Sequence, residues 1–241
     1  METFLIITAA VLWGFATGVL IPRPAYRSSV PDQQPWRSEC PAGHPLAGTG
    51  AGWLGPARCS AGDTYGPSSL PVTAVTVVVC VLLAAATGAR PELLVWLMLA
   101  PACVLLAVVD SAAHRLPDVL TLPAAAAALI LLGVAVLQPE AGGSWTSAVL
   151  SSLILAACYL ALFLISRGFG FGDVKLALVL GAVLGWYGWP IVLIGTFAGY
   201  LLGALYGIGL LVAGRAGRTT RIPFGPFLLA GAFAGVLLGS A

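Results

Sequence analysis

Gly168-Phe169-Gly170-Phe171-Gly172-Asp173-Val174-Lys175 separates two strongly apolar runs and sets an aspartate at the mouth of the second. The runs on either side are long, continuous and rich in Ala, Leu and Gly. A closed β-barrel would alternate apolar and polar residues in short segments. Long apolar runs in lipid must satisfy their backbone internally, so they are helices. Three glycines in five residues permit positive φ and close helix approach. A carboxylate at a membrane edge is costly and marks a candidate functional site. The plainer reading of Asp173 is an N-cap for the helix that follows.

Composition extends the same reading to the whole chain. Of 241 residues, 59% are hydrophobic and 8% charged, and mean hydropathy is +1.00. Soluble domains carry about 25% charged residues. The fold class is therefore all-α, a polytopic integral membrane protein with about eight transmembrane helices and lipid as its main surroundings. A net charge of +2 is too small to indicate a nucleic-acid partner.

Residues 3–21 form the first span. Glu2 stands where a signal peptide would be basic, and Arg23 and Arg27 follow the run. That pattern reads as a retained anchor with its N-terminus outside. Residues 22–70 are a polar loop rich in Pro and Gly, expected to be partly disordered. Seven further spans are predicted near 71–88, 92–110, 119–137, 145–166, 174–188, 190–213 and 224–240. The expected organisation is thus an anchor (1–21), a cytoplasmic loop (22–70) and a seven-helix membrane domain (71–241). Gly195, Gly199, Gly203 and Gly207 make one ridge at i+4 spacing, read as a packing face ahead of a gating hinge.

The basic residues orient the chain. With the N-terminus outside, the cytoplasmic segments are 22–70, 111–118, 167–173 and 214–223. Arg23, Arg27, Arg37, Arg58, Arg115, Arg167, Arg215, Arg218 and Arg221 fall in them, and Lys175 lies beside one. Only Arg90 falls elsewhere, while Glu2, Glu92 and Glu140 land on the outer side. The bias agrees with the positive-inside rule. It predicts both termini outside.

Under this topology Asp110, Asp118 and Asp173 all lie at cytoplasmic helix ends. Asp118 follows Pro117 and opens an apolar run, so capping is its expected role. Asp110 ends a helix, where the dipole disfavours negative charge. Two carboxylates in one site cannot both ionise easily, so one holds a proton. One can then activate water while its partner, as acid, polarises a peptide carbonyl. The dipoles suggest Asp173 as base and Asp110 as acid. The rival reading is a proton-coupled transporter or channel, since intramembrane carboxylates also serve proton relays. Transporter sites lie near the midplane, whereas these carboxylates cluster at one face. A further rival is a scaffold without catalysis, which a complete aspartate pair argues against.

Three motifs carry a family resemblance. Gly170-Phe171-Gly172-Asp173 with Lys175 resembles the GxGD signature of the type IV prepilin peptidases, which are membrane aspartyl proteases. Asp110 followed by Leu116-Pro117-Asp118 resembles the family's first-aspartate motif. Pro223-Phe224-Gly225-Pro226 resembles the start of its last span. The resemblance runs from about residue 92 to the end. It implies an endopeptidase that removes the basic leader from prepilin or pseudopilin substrates at the cytoplasmic face of the plasma membrane. Asp110 and Asp173 would be catalytic, with Asp118, Gly170, Gly172 and Lys175 accessory. No cofactor is implied for proteolysis.

The loop departs from the family pattern. Many members carry two C-x-x-C pairs there and also N-methylate the new pilin N-terminus. Here Cys40-Pro-Ala-Gly43 and Cys59-Ser-Ala-Gly62 each lack the second cysteine, so a four-thiolate zinc site is impossible. No metal is expected. The one mixed donor set on offer is Cys40, His44, Cys59 and Asp63, each pair at i+4 spacing. S-adenosylmethionine would be required only if methyltransferase activity persists, and no residue is assigned to it. Cys80, Cys103 and Cys158 lie inside spans and read as small apolar residues.

Overall fold

A computed structural model of the chain describes residues 1–31, 34–59, 61–166, 170–215, 217 and 222–240. Gly168 of the opening stretch and Arg167, Arg218 and Arg221 of the charge pattern lie outside the described residues. The helices are α1 (Glu2–Leu20), α2 (Pro22–Ser28), α3 (Thr49–Gly52, a single turn), α4 (Ser69–Thr87) and α5 (Glu92–Ala113), then α6 (Asp118–Ala135), α7 (Trp145–Ile165), α8 (Phe171–Gly185), α9 (Trp189–Val212) and α10 (Gly225–Ser240). Among the described residues there is no strand, only two isolated β-bridges. The protein is an all-α, multi-pass membrane protein.

Every expected apolar run is a helix. Six are long and apolar enough to cross a membrane. The other two, α8 and α10, have 15 and 16 residues. The length of α8 follows from its place. It packs against α6, α7, α9 and α10, and buries Val174, Leu176, Ala177, Val179, Leu180, Ala182 and Leu184. A helix that is apolar all round and enclosed by others answers to its neighbours rather than to the lipid thickness.

Small residues set the closest pairings. A Cβ on Gly14 of α1 would lie 2.8 Å from the Val77 Cα of α4. Ser151 and Ser152 of α7 donate to the carbonyls of Gly181 and Leu178 on α8, both at 2.8 Å. The predicted ridge of α9 buries Gly199 against α10, Gly195 against Leu184 of α8 and Gly231 of α10, and Gly203 against Phe224 just before α10. Such contacts bring backbones together where lipid supplies no hydrophobic drive between helices.

The described residues of the loop after α1 are folded, where partial disorder was expected. The first helix continues through Ile21 into α2, so the span and its basic flank are nearly one rod. Arg23 is buried and donates to the Leu54 carbonyl at 3.3 Å. Arg27 donates to the Ala51 carbonyl at 2.8 Å and stacks on Trp53 at 4.2 Å. Arginines that read as topological charges thus also hold the loop. Arg115 donates to the carbonyls of Val30 and Pro31, at 3.1 and 2.9 Å. This contact puts the loop against the α5–α6 turn, at the same end of the bundle as Asp110.

Candidate active site

The site forms where the C-terminal end of α5 meets the N-terminal ends of α6, α8 and α10. Helix α5 ends cleanly because His114 adopts the left-handed conformation, φ 52°, and its N–H returns to the Asp110 carbonyl at 2.8 Å. Asp110 is 5% exposed. Its Oδ2 accepts the N–H of Gly225, the first residue of α10, at 2.9 Å. A helix N-terminus offers orphan N–H groups and favours an anion. Sequence distance hid this partner, 115 residues away. Asp110 does lie in the last turn of α5, against that helix's dipole, and the N-terminus of α10 supplies a favourable one that offsets it.

Gly225 has to be small. A Cβ there would lie 2.7 Å from Asp110 Oδ2 and 3.2 Å from its Cγ. This gives the Pro-Phe-Gly-Pro motif a physical role: it delivers a bare N–H to Asp110.

Asp173 occupies the third residue of α8 and is half-buried. Its Oδ2 accepts the N–H of Gly170 at 3.1 Å, while its own N–H reaches the Gly170 carbonyl at 3.0 Å. The N-cap residue is thus Gly170, where the plain reading had Asp173; Asp173 closes the helix N-terminus from the third position, by accepting the N-cap N–H. It also stands close enough to Asp110 for the two charges to interact. Gly170 sits at φ −86°, so it does not use the positive-φ freedom considered for this stretch. Gly172 serves close approach: a Cβ there would be 3.1 Å from the Leu116 Cβ. The Gly-x-Gly-Asp turn is thereby seated on the Leu-Pro-Asp turn.

Asp118 departs from its expected role. No side-chain cap bond is made at the start of α6. Its carboxylate, 62% exposed, pairs with Lys175 of α8, whose side chain is 16% exposed and also lies over the Phe171 ring at 4.6 Å. The pair ties the first turns of α6 and α8 together beside the aspartates.

Two aromatic residues escaped the sequence reading. Tyr159 of α7 is 2% exposed, and its ring packs beside that of Tyr200 on α9, with centroids 6.1 Å apart. Tyr200 packs on Phe224, the residue before Gly225, with ring centroids 5.2 Å apart. Both tyrosines lie near enough to Asp173 to feel its charge. The available signal was a polar-tipped aromatic inside each of two apolar spans.

An apolar cavity elsewhere in the bundle is lined by residues that include Leu83, Trp96, Leu99, Val179 and Phe233. It holds no carboxylate and does not coincide with the aspartates. A second donor cluster lies in the loop, where ligand atoms of Cys40, His44 and Cys59 are all within 4.8 Å of one another.

The class of protein is a polytopic membrane bundle, and two carboxylates from separate helices, each held by a backbone N–H at the same end of it, make a candidate paired-aspartate site. Residues 97–208 match the type IV leader peptidase family. The match includes Asp110, Asp118, Gly170, Gly172, Asp173 and Lys175. The chain is 36% identical over 172 residues to the prepilin leader peptidase/N-methyltransferase of Aeromonas salmonicida, covering 69% of this chain and 55% of that protein. It is 35% identical over 156 residues to the protein of the same name from Pseudomonas putida, covering 63% and 52%. The corresponding Burkholderia pseudomallei protein is 36% identical over 149 residues, covering 59% and 45%. The chain thus spans about half the length of these curated relatives. No solved structure matches it significantly.

Proposed function

We propose that the chain is a membrane aspartyl endopeptidase that removes the leader peptide from type IV prepilin-like proteins. The observation that carries the reading is the placement of Asp110, in the last turn of α5, and Asp173, in the first turn of α8, at the same end of the bundle within the segment that matches the leader peptidase family. A carboxylate has two oxygens that can accept. In each aspartate one oxygen is held by a backbone N–H, which leaves the other for the reaction. The pair shares a proton, so the ionised member takes a proton from water while the protonated member donates to the scissile carbonyl. Because the two carboxylates titrate as a unit, base and acid are states of the pair. Proteolysis needs no cofactor on this reading, since the carboxylates themselves activate the water.

The substrate class follows from the position of the site at helix ends. A prepilin or pseudopilin would keep its basic leader in the cytoplasm and its apolar helix in the bilayer, with the scissile bond between them. The arginine bias supports a plasma-membrane protein with both termini outside and the site at the cytoplasmic face. The seven-helix part, 71–241, would be the peptidase domain, and 1–21 its anchor. Asp118, Gly170, Gly172 and Lys175 would act by holding the turns in place. N-methylation belongs to the names of the relatives and is assigned to no residue here.

The test is co-expression with a protein that has a short basic leader before an apolar helix. Mass measurement of its N-terminus is expected to show the leader removed. A full-length leader across a panel of such substrates, with the enzyme present in the membrane, would sink the reading. A further mass increment of one methyl group would reveal S-adenosylmethionine-dependent modification.

A further inference from the structure

The loop contains a repeat that the search for C-x-x-C pairs passes over. Ser38-Glu39-Cys40-Pro41-Ala42-Gly43-His44-Pro45-Leu46 and Ala57-Arg58-Cys59-Ser60-Ala61-Gly62-Asp63-Thr64-Tyr65 share Cys, Ala and Gly in register, 19 residues apart. The backbone repeats as well. Leu46 N–H donates to Ser38 at 2.8 Å, and Tyr65 N–H to Ala57 at 3.1 Å. Cys40 N–H donates to His44 and Cys59 N–H to Asp63, both at 2.9 Å. Each turn closes through a glycine at positive φ, Gly43 at 79° and Gly62 at 90°, with open space around it. The two hairpins share a small core of Cys40, Leu46, Ala57 and Tyr65.

Each hairpin brings two donors to the same place. Cys40 Sγ lies 3.6 Å from His44 Nδ1, and Cys59 Sγ lies 4.0 Å from Asp63 Oδ2. Ligands on a tetrahedral zinc, at about 2.3 Å for sulfur and about 2.0 Å for nitrogen or oxygen, stand roughly 3.5 Å apart. Ligand atoms of Cys40, His44 and Cys59 fall within 4.8 Å of one another. Cys40 is buried, His44 and Cys59 are half-buried, and Asp63 is exposed, so the cluster has one face toward solvent. The core these hairpins bury is small, and modules of this size generally need a staple. The two cysteines are not bonded to each other.

Against the expectation drawn from the missing cysteines, we propose that the paired hairpins bind one zinc-like divalent ion through Cys40, His44, Cys59 and Asp63. Borderline-soft thiolate with imidazole selects zinc over magnesium or calcium. The ion would hold the two hairpins together, and the histidine and aspartate replace the lost thiolates from one position further along each turn. The proposal does not depend on the peptidase reading, because metal content is read without substrate.

The full chain, purified in detergent without chelator, is assayed by elemental analysis and by cobalt substitution. About one zinc per chain is expected, with roughly a tenfold or greater loss in His44→Ala and in Cys40→Ser combined with Cys59→Ser. Cobalt should give the intense visible bands of a tetrahedral site and a thiolate charge-transfer band. Cys103→Ser combined with Cys158→Ser should keep the metal. Should the loop variants misfold, the wild-type titration still decides. Wild-type chain that holds no zinc and takes up no cobalt overturns the proposal. So does equal metal content in the cysteine and histidine variants, or a Cys40–Cys59 disulfide in protein purified under reducing conditions.

Discussion

Helix α5 carries a buried carboxylate at each end. Asp110 is 5% exposed and Glu92 is fully buried. Each accepts a backbone N–H from another segment: Asp110 from Gly225 at 2.9 Å, and Glu92 from Gly142 at 3.2 and 3.3 Å. By burial and hydrogen bonding the two are alike. They differ in company. The charge of a second carboxylate, Asp173, reaches Asp110, whereas Glu92 sits beside the Arg90 side chain, which crowds the same glycine. Near it Trp96 donates to the Tyr187 hydroxyl at 3.1 Å. A buried carboxylate whose oxygens are filled by a backbone N–H is a fastening. A buried charge beside a like charge is costly for the fold and useful for proton transfer. Burial alone does not mark a site; the neighbour does.

Substitutions at the two ends should therefore separate cleavage from stability. The largest effect on cleavage is expected from Asp110→Asn and Asp173→Asn, each on the order of a thousandfold at equal membrane levels. Either variant cleaving at the wild-type rate breaks the comparison. Next comes Gly225→Val, whose side chain meets Asp110 Oδ2 at a distance no Cβ tolerates. Displacing that carboxylate by about 1 Å should cost roughly a hundredfold in rate, read as initial velocity in membranes. Glu92→Ala strands the Gly142 N–H and should destabilise by about 1–3 kcal/mol, measured by unfolding in detergent. Cleavage per folded molecule should stay within about twofold, since distant sites act independently. A large rate loss without destabilisation would erase the distinction between the ends. The smallest effect belongs to Asp118→Asn and Lys175→Gln. That partly exposed pair contributes about 0.2–1 kcal/mol, so each variant should keep activity within a few-fold of wild type.

These two ends also show what the sequence displays and what it conceals. The apolar runs became helices with ends mostly within three residues of the expected bounds, because run length and flanking polar residues are local. The helix-end placement of Asp110 and Asp173 was legible in the bounds of the apolar runs. Partners remote in sequence were not. The Asp110–Gly225 bond spans 115 residues, and the Tyr159–Tyr200 contact joins two spans whose facing sides no periodicity reveals. Glu92 read as an outer-face charge, because its acceptor role depends on where the 138–143 turn folds back. The loop was the opposite case. Its repeat is plain in the letters, 38–46 against 57–65, and the donor set Cys40, His44, Cys59 and Asp63 stands at i+4 spacing in it, but that the two hairpins share one small core is a tertiary fact.

The account rests on one juxtaposition, of residues 110 and 173, and that can be measured without substrate. Asp110→Cys and Asp173→Cys are combined in the full chain and treated in membranes with a short bismaleimide, and linked peptides are mapped by mass. The account predicts a linkage between positions 110 and 173 within one chain, absent from either single variant. Cysteines that each react with the reagent but never become linked to each other would contradict it.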